Sequence, residues 1–243
     1  MIRIAQLRAD ALDPFPDPAH ALSDPNGLLA FGGDLSPQRL LAAYAHGIFP
    51  WYSQGDPLLW WSPDPRCVFM TDGVHVSRRL ARALRKSTWT LSMDRAFARV
   101  VRECAAPRAR ETGTWITPEM LAAYVRLHQL GYAHSLEVWD GELLVGGIYG
   151  VAIGRAFSAE SMFSRANDGS KVALLALCRT LREDDCPLLD AQVPNSHLLR
   201  MGAVTLARED YLRRLRQLAL QPGPDTWRPP FARASDLVSE RER

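Results

Sequence analysis

The sequence predicts a mixed α/β protein of the α+β kind, with a small amino-terminal unit over residues 1–65 and a larger unit over residues 66–243. Three observations lead there. Residues 146–171, GGIYGVAIGRAFSAESMFSRANDGSK, read as two strands with glycines where side chains would obstruct, then a Ser/Asn/Asp/Gly turn opening a helix. Several other segments show helical periodicity behind a Ser, Thr or Asp cap. The first 65 residues are instead broken by prolines and rich in tryptophan, as in a small, stiff, loop-dominated unit.

Composition bounds the rest. A chain of 243 residues with 47% hydrophobic and 23% charged residues is that of an ordinary globular protein. No apolar run approaches the roughly 18 residues of a membrane helix, and MIRIAQLRAD lacks a signal-peptide core, so a cytoplasmic location is expected. Cys67, Cys104, Cys178 and Cys186 form no CxxC pair, so they read as reduced thiols without a metal or disulfide role.

The net charge is only +2, but it is unevenly spread. Residues 75–110 carry ten basic side chains, including Arg78, Arg79, Arg82, Arg85, Lys86, Arg95, Arg99, Arg102, Arg108 and Arg110, against Asp94 and Glu103. That field attracts a polyanion; the plainer alternative is a solvated helical face.

In chain order, residues 1–27 read as an extended arm. Leu28–Phe31 form a short strand, and Ser36-Pro37 opens a helix stopped at Gly47. Trp51, Trp60 and Trp61 then stand among prolines, as cement between two units or as a stacking surface for a base. Cys67–Met70 is a strand and residues 77–86 a helix. Asp94 is expected to cap the next helix, and Thr117-Pro118 the one after it, ending at Gly131. His128 on that helix reads as structural or surface-exposed. Asp140-Gly141 predicts a hairpin turn. A buried helix follows from Ser170, then a strand over 188–193, a short strand near Val204 and a helix over 209–219. The last 22 residues are expected to pack irregularly or fray.

Three polar residues stand out on the predicted strands. Alternation along 156–162 puts Ser158, Glu160 and Met162 on one face, and Asp190 and Gln192 share a face two residues apart. An interior carboxylate needs water, a hydrogen bond or neutralisation, so Glu160 belongs at a cleft or beside a dedicated partner. A carboxylate orienting an amide toward a substrate amine is one arrangement; a purely structural use is the other. No Walker loop, HExxH, nucleophile elbow or GxGxxG is present.

These residues also carry a resemblance. NGLLAFGGDLSPQRLLAAYAHGIFPWYSQGDPLLWWSPDPR, GTWITPEM, GYAHSLEVWDGELLVGGIYG, FSAESMFSRANDGSK and LLDAQVPN closely resemble the leucyl/phenylalanyl-tRNA protein transferase family over about residues 1–215. The resemblance implies an aminoacyltransferase that moves leucine or phenylalanine from its tRNA to the α-amine of proteins beginning with Arg or Lys, creating an N-terminal degradation signal. It implies a GNAT-like larger domain, no metal, coenzyme A or other cofactor, no membrane partner and a monomer. By likeness, Gln192, oriented by Asp190, takes a hydrogen bond from the attacking amine. Glu160 holds polar parts of the aminoacyl-adenosine or the cationic acceptor, and Trp51 stacks on the terminal adenosine. Trp115, Ile148, Phe157, Met162, Leu177 and Leu189 would wall the acyl pocket. Arg78, Arg79, Arg82, Arg85 and Lys86 would hold the tRNA backbone, reading phosphate rather than sequence. The chain departs from the family pattern at Ile148 and Leu177, where methionine and phenylalanine are common, which bears on the leucine-to-phenylalanine preference. Two rivals remain at this level. A coenzyme-A-dependent acyltransferase would want a glycine-rich pyrophosphate cradle that residues 165–170 lack, and a non-enzymatic RNA-binding module leaves Glu160, Asp190 and Gln192 idle.

Overall fold

The computed structural model describes residues 4–9, 11, 13–106 and 114–238; Arg108, Arg110 and Gly113 lie outside that set. Two sheets organise the chain. The first holds β1 (Ala5–Leu7), β2 (Leu28–Gly32), β3 (Phe49–Pro50) and β4 (Leu59–Trp61) in the order β1-β2-β4-β3. The expected extended arm therefore contributes an edge strand, with Ala5 paired in parallel to Ala30. The proline- and tryptophan-rich segment pairs as well, Phe49 opposite Trp61 and Leu28 opposite Trp61 on the other side. Helix α1 (Pro37–Ala45) packs on this sheet. Ser36 accepts from Arg39 N, Pro37 takes the first turn, and Leu40, Ala43 and Tyr44 turn inward.

The second sheet is built from β5 (Arg66–Met70), β6 (Thr90–Met93), β7 (Ala133–Asp140), β8 (Leu143–Ile153), β9 (Ala156–Ser164), β10 (Leu188–Gln192) and β11 (Val204–Leu206). Their order is β11-β5-β10-β9-β8-β7-β6. Strands β6 to β9 form an antiparallel meander, the β7–β8 turn resting on Gly141 at φ 59°. Between β9 and its parallel neighbour β10 the chain crosses over through α5 (Gly169–Glu183). The sequence alone did not single out β6. It pairs Leu91 with Val138 at the sheet edge.

Helices cover both faces. Helix α2 (Arg78–Arg85) and α5 bury Leu80, Leu84, Leu174, Leu177 and Leu181 with Phe69, Ile148 and Phe157 in one core cluster. Helices α3 (Phe97–Ala105) and α4 (Pro118–Gln129) bury Phe97, Val100, Met120 and Tyr124 in another, which also takes in α1 and the small sheet. A short α6 (Ser196–Arg200) is capped by Asn195, and α7 (Arg208–Ala219) sets Tyr211 and Leu215 against Val68 and Leu188. Of the last 22 residues, the described ones, 222–238, pack irregularly, as expected. Ala234 and Leu237 are fully buried, and Trp227 stacks on His134 with ring centroids 4.0 Å apart.

Asp94 does not cap α3. It sits at φ 58° and binds His134 Nδ1 (2.7 Å) and Ser135 N (2.8 Å), while Ala96 N donates to Glu137 at 3.4 Å. His128 is structural, its Nδ1 2.8 Å from Ala133 O and its ring stacked on Phe97.

Two irregularities in the large sheet place the polar residues. The β8–β9 register slips so that Tyr149 faces Ser161 and Gly150 faces Ala159, leaving Glu160 as the extra residue of a bulge. Strict alternation fails there. Glu160 points to Tyr124 and Ser158 to Asp190, whereas Met162 joins Phe157 and Ala159 on the α5 side. The β10–β5 ladder also slips between Asp190 and Gln192, and Gln192 takes φ 60°. Finally, α5 starts in direct backbone contact with β8. A Cβ on Gly146 would lie 2.5 Å from the Gly169 carbonyl carbon, and one on Gly169 would lie 2.4 Å from Val145 O.

Candidate active site

A cleft of about 990 Å³ opens between the small sheet and the large one. Phe49, Pro50 and Trp51 come from the first; Ile148, β9 from Ala159 to Ser164, Leu189 and the β10 end from Ala191 to Val193 come from the second. Trp115 and Leu174 complete its apolar part. The volume falls in the range of small-molecule sites, and the lining mixes apolar walls with many polar side chains, among them Glu103, Glu160, Arg165, Gln192, Asn195 and His197.

Gln192 is the polar group at the centre. Its left-handed φ follows from the end of the β10 ladder, and Asp190 Oδ1 accepts its backbone N–H at 2.9 Å. Asp190 itself is buried and does not line the cleft. Arg66 Nε donates to its Oδ1 at 2.8 Å and Nη2 to its Oδ2 at 2.6 Å, a two-pronged pair, while Tyr211 Oη donates to Oδ2 at 2.9 Å. The remaining Arg66 nitrogen, Nη1, donates to Gly47 O at 3.1 Å, and the guanidinium lies over the rings of Phe49 and Tyr211. Burial opposes the charge of Arg66, yet the adjoining Asp190 carboxylate more than offsets it and the pKa is raised. The sequence reading is corrected on one point: Asp190 steers Gln192 through its main chain, and its contact with the cleft is indirect.

The amide of Gln192 is oriented by Glu160. Gln192 Nε2 donates to Glu160 Oε1 at 2.7 Å, so the amide oxygen is the end left for another donor. Glu160 Oε2 accepts from Tyr124 Oη at 2.7 Å, and the Tyr44 and Tyr124 hydroxyls are 2.6 Å apart. Burial pushes the Glu160 carboxyl up to about 7, against the pull of the Tyr124, Tyr44 and Gln192 hydrogen bonds. Burial likewise holds the Tyr44 and Tyr124 phenols well above their ordinary pKa, so both remain protonated donors. The Tyr149 hydroxyl is buried in the same region without a hydrogen-bond partner among the described residues.

Of the expected acyl-pocket residues, Trp115, Ile148, Met162 and Leu189 line the cleft with Trp51 and Glu160. Phe157 and Leu177 do not. Phe157 is 1% exposed beside Trp227, and Leu177 is fully enclosed on α5. The apolar α5 side chain that reaches the cleft is Leu174, about one helical turn earlier. Phe69, Leu174, Arg66, Tyr44 and Tyr124 were not singled out by sequence reasoning for this site. Asp190 did carry a signal, an aspartate inside a predicted strand and needing a partner, whereas Arg66 fell just before the predicted strand Cys67–Met70.

The basic residues Arg78, Arg79, Arg82, Arg85 and Lys86 are all exposed on or just after α2, whose other face buries Leu80 and Leu84. Arg79 Nη2 pairs with Asp168 at 2.9 Å, and Lys171 Nζ pairs with it at 2.6 Å, joining α2 to the turn that precedes α5 and its cleft-lining Ser170. Arg95 and Arg99 are used differently. Their guanidinium carbons lie 4.5 and 5.7 Å from the Trp139 ring centroid. Among the described residues, Asp94, His128 and His134 bring possible metal ligands within 4.8 Å of one another. Their nitrogens already face one another's oxygens or backbone carbonyls, and none lines the cleft. All four cysteines are buried.

Comparison with known proteins follows this geometry. The family described as "Leucyl/phenylalanyl-tRNA protein transferase" matches residues 68–216, and its N-terminal domain matches residues 33–64. A "Leucyl/phenylalanyl-tRNA--protein transferase" of Xanthomonas euvesicatoria pv. vesicatoria is 61% identical over 223 residues, 91% of this chain and 89% of the relative. One from Xylella fastidiosa is 59% identical over 209 residues, 86% of each chain. A solved "GCN5-related N-acetyltransferase from Kribbella flavida" covers 70% of this chain and 61% of its own at 10% identity and a TM-score of 0.37, too low to decide the fold. The lengths and identities of the sequence matches leave one conclusion: the chain belongs to the leucyl/phenylalanyl-tRNA protein transferase family.

Proposed function

We propose that the cleft joins two substrates: the 3′ end of a leucyl- or phenylalanyl-tRNA, and the free α-amine of a protein beginning with Arg or Lys. The chain is an aminoacyltransferase of that family, moving leucine or phenylalanine from aminoacyl-tRNA to an N-terminal amine. The observation that supports this use of the cleft is the Gln192 amide, whose nitrogen donates to Glu160 and whose oxygen remains as an acceptor. A neutral amine donates to that oxygen and attacks the ester carbonyl. The C–N bond forms, the ester C–O bond breaks, and the amine proton ends on the freed ribose hydroxyl. The ester is already activated, so the residues need only align the amine and receive its hydrogen bond.

In this reading Trp51, 44% exposed and tilted against Trp61 at 5.7 Å, offers its face to the terminal adenosine. Trp115, Ile148, Met162, Leu174 and Leu189 enclose the acyl side chain. One methylene in such a pocket is worth about 1–3 kcal/mol, which suits a site that takes both leucine and phenylalanine and disfavours smaller residues. The exposed basic residues of α2 meet the tRNA backbone. We place the boundary between the units at 65/66, where the small sheet has ended and β5 begins. A GNAT-like reading of the larger unit rests on its β7–β8–β9 meander followed by α5 and the parallel β10.

The test supplies radiolabelled leucyl-tRNA and an Arg-initiated peptide, with and without prior ribonuclease treatment. Label reaching the peptide only from intact tRNA is the expected result; no transfer, or transfer after ribonuclease, overturns it.

A further inference from the structure

We propose that Tyr44 and Tyr124 are positioning residues of the transfer reaction: a two-hydroxyl relay that holds Glu160 as a carboxylate and thereby decides which end of the Gln192 amide faces the cleft. The inference rests on the transfer reaction described above.

The geometry is directional. Tyr124 has one proton, and it donates to Glu160 Oε2. Its oxygen is therefore the acceptor in the 2.6 Å contact with Tyr44, which must donate. Glu160 Oε1 is taken by Gln192 Nε2. Every link in Tyr44→Tyr124→Glu160←Gln192 points its hydrogen toward the carboxylate, an arrangement that favours the ionised form and opposes the burial that favours the neutral one. A protonated Glu160 would have to displace one donor. If it displaced the Gln192 amide, that amide would be free to turn and present hydrogens, rather than an acceptor, to the incoming amine.

The four links come from four elements: α1, α4, β9 and β10. Tyr44 belongs to the small unit, so seating of that unit on the large sheet completes the chain. The other ionisable groups around Glu160 are few. Asp190 raises its pKa through charge, and Tyr149 on β8 and both relay tyrosines are themselves pushed up by burial. Those tyrosines do not titrate in the working range. Glu160, held at about 7 mainly by burial and pulled down by the tyrosine hydroxyls, is the link that does.

The test is the pH dependence of single-turnover leucyl transfer at saturating acceptor, between about pH 6 and about pH 9, for the wild-type chain, Tyr124→Phe and Tyr44→Phe. The acceptor amine titrates in all three alike, so the comparison between variants isolates the enzyme. Loss of a hydrogen bond to a charged group is expected to move the acidic limb of Tyr124→Phe upward by about one pH unit. That is a roughly tenfold loss below the limb, recovering to within about twofold of wild type above it. Tyr44→Phe is expected to move the limb in the same direction by less, and it keeps the test alive if Tyr124→Phe does not fold. Equal losses at every pH, or an unmoved limb in a folded variant, would overturn the relay. A wild-type chain that transfers nothing would instead remove the reaction on which it rests.

Discussion

Two buried carboxylates flank Gln192, and they are neutralised in opposite ways. Asp190 is met by a full charge, Arg66, with Tyr211 and a backbone N–H filling its other sites. Glu160 is met by neutral donors, the Tyr124 hydroxyl and the Gln192 amide, with the Tyr44 hydroxyl beside them. In the first a buried charge is matched by a buried countercharge; the second leaves the Glu160 proton within reach of neutral pH. One fixes the main chain at Gln192, and the other orients the Gln192 side chain.

The sharpest way to break this comparison is Arg66→Met. It strands Asp190 as a buried unpaired charge, with an expected stability loss of about 3–5 kcal/mol by denaturant unfolding and loss of the hold on Gly47 O. A loss below about 1 kcal/mol would mean that Asp190 is not confined as described. Next, Gln192→Ala is expected to lower single-turnover transfer by roughly 10²–10³-fold with an unchanged tRNA Kd; parallel losses would make Gln192 a binding residue.

Glu160→Gln sharpens the contrast through stability. The folded-state pKa of Glu160 is raised from 4.5 to about 7, so the folded chain holds its proton in a range where the unfolded chain has lost it. The protonated carboxyl is fully accommodated below about pH 4.5, and a cost grows as pH rises through about 7. The stability of Glu160→Gln relative to wild type should therefore increase by about 3 kcal/mol over that window and then level off. Urea midpoints across pH read this directly, and a flat difference would refute it.

Smaller effects are expected away from both carboxylates. Arg78→Glu with Arg82→Glu should weaken tRNA binding by roughly tenfold and flatten its salt dependence, with the transfer rate at saturation unchanged. Last, Leu177→Phe should leave the leucine-to-phenylalanine ratio within about twofold, its cost falling on stability by about 1–3 kcal/mol through overpacking. A several-fold change in the ratio would return Leu177 to the pocket.

Most elements could be read from the chain because their signals are local. Ser36-Pro37, Thr117-Pro118 and Asp140-Gly141 each encode a cap or turn within a few residues. The site was legible in its residue types and only partly in its geometry. A bulge is a mismatch between two strands, so neither strand alone tells that Glu160 is the extra residue or that Met162 faces the other way. Tyr44 and Tyr124 fit the apolar periodicity of their helices, and only the fold brings their hydroxyls together. Leu177 and Leu174 carry the same hydrophobic signal one turn apart. Which of them meets the cleft depends on how deeply α5 is seated.

That seating has its own consequence. Because Gly146 and Gly169 let helix and strand touch main chain to main chain, the back of the proposed acyl site rests on a stop with no side chain left to compress. A variant built to accept a bulkier amino acid must gain its room by trimming Leu174 or Met162. An alanine at either glycine would lever the helix off the sheet and carry Leu174 away from Met162.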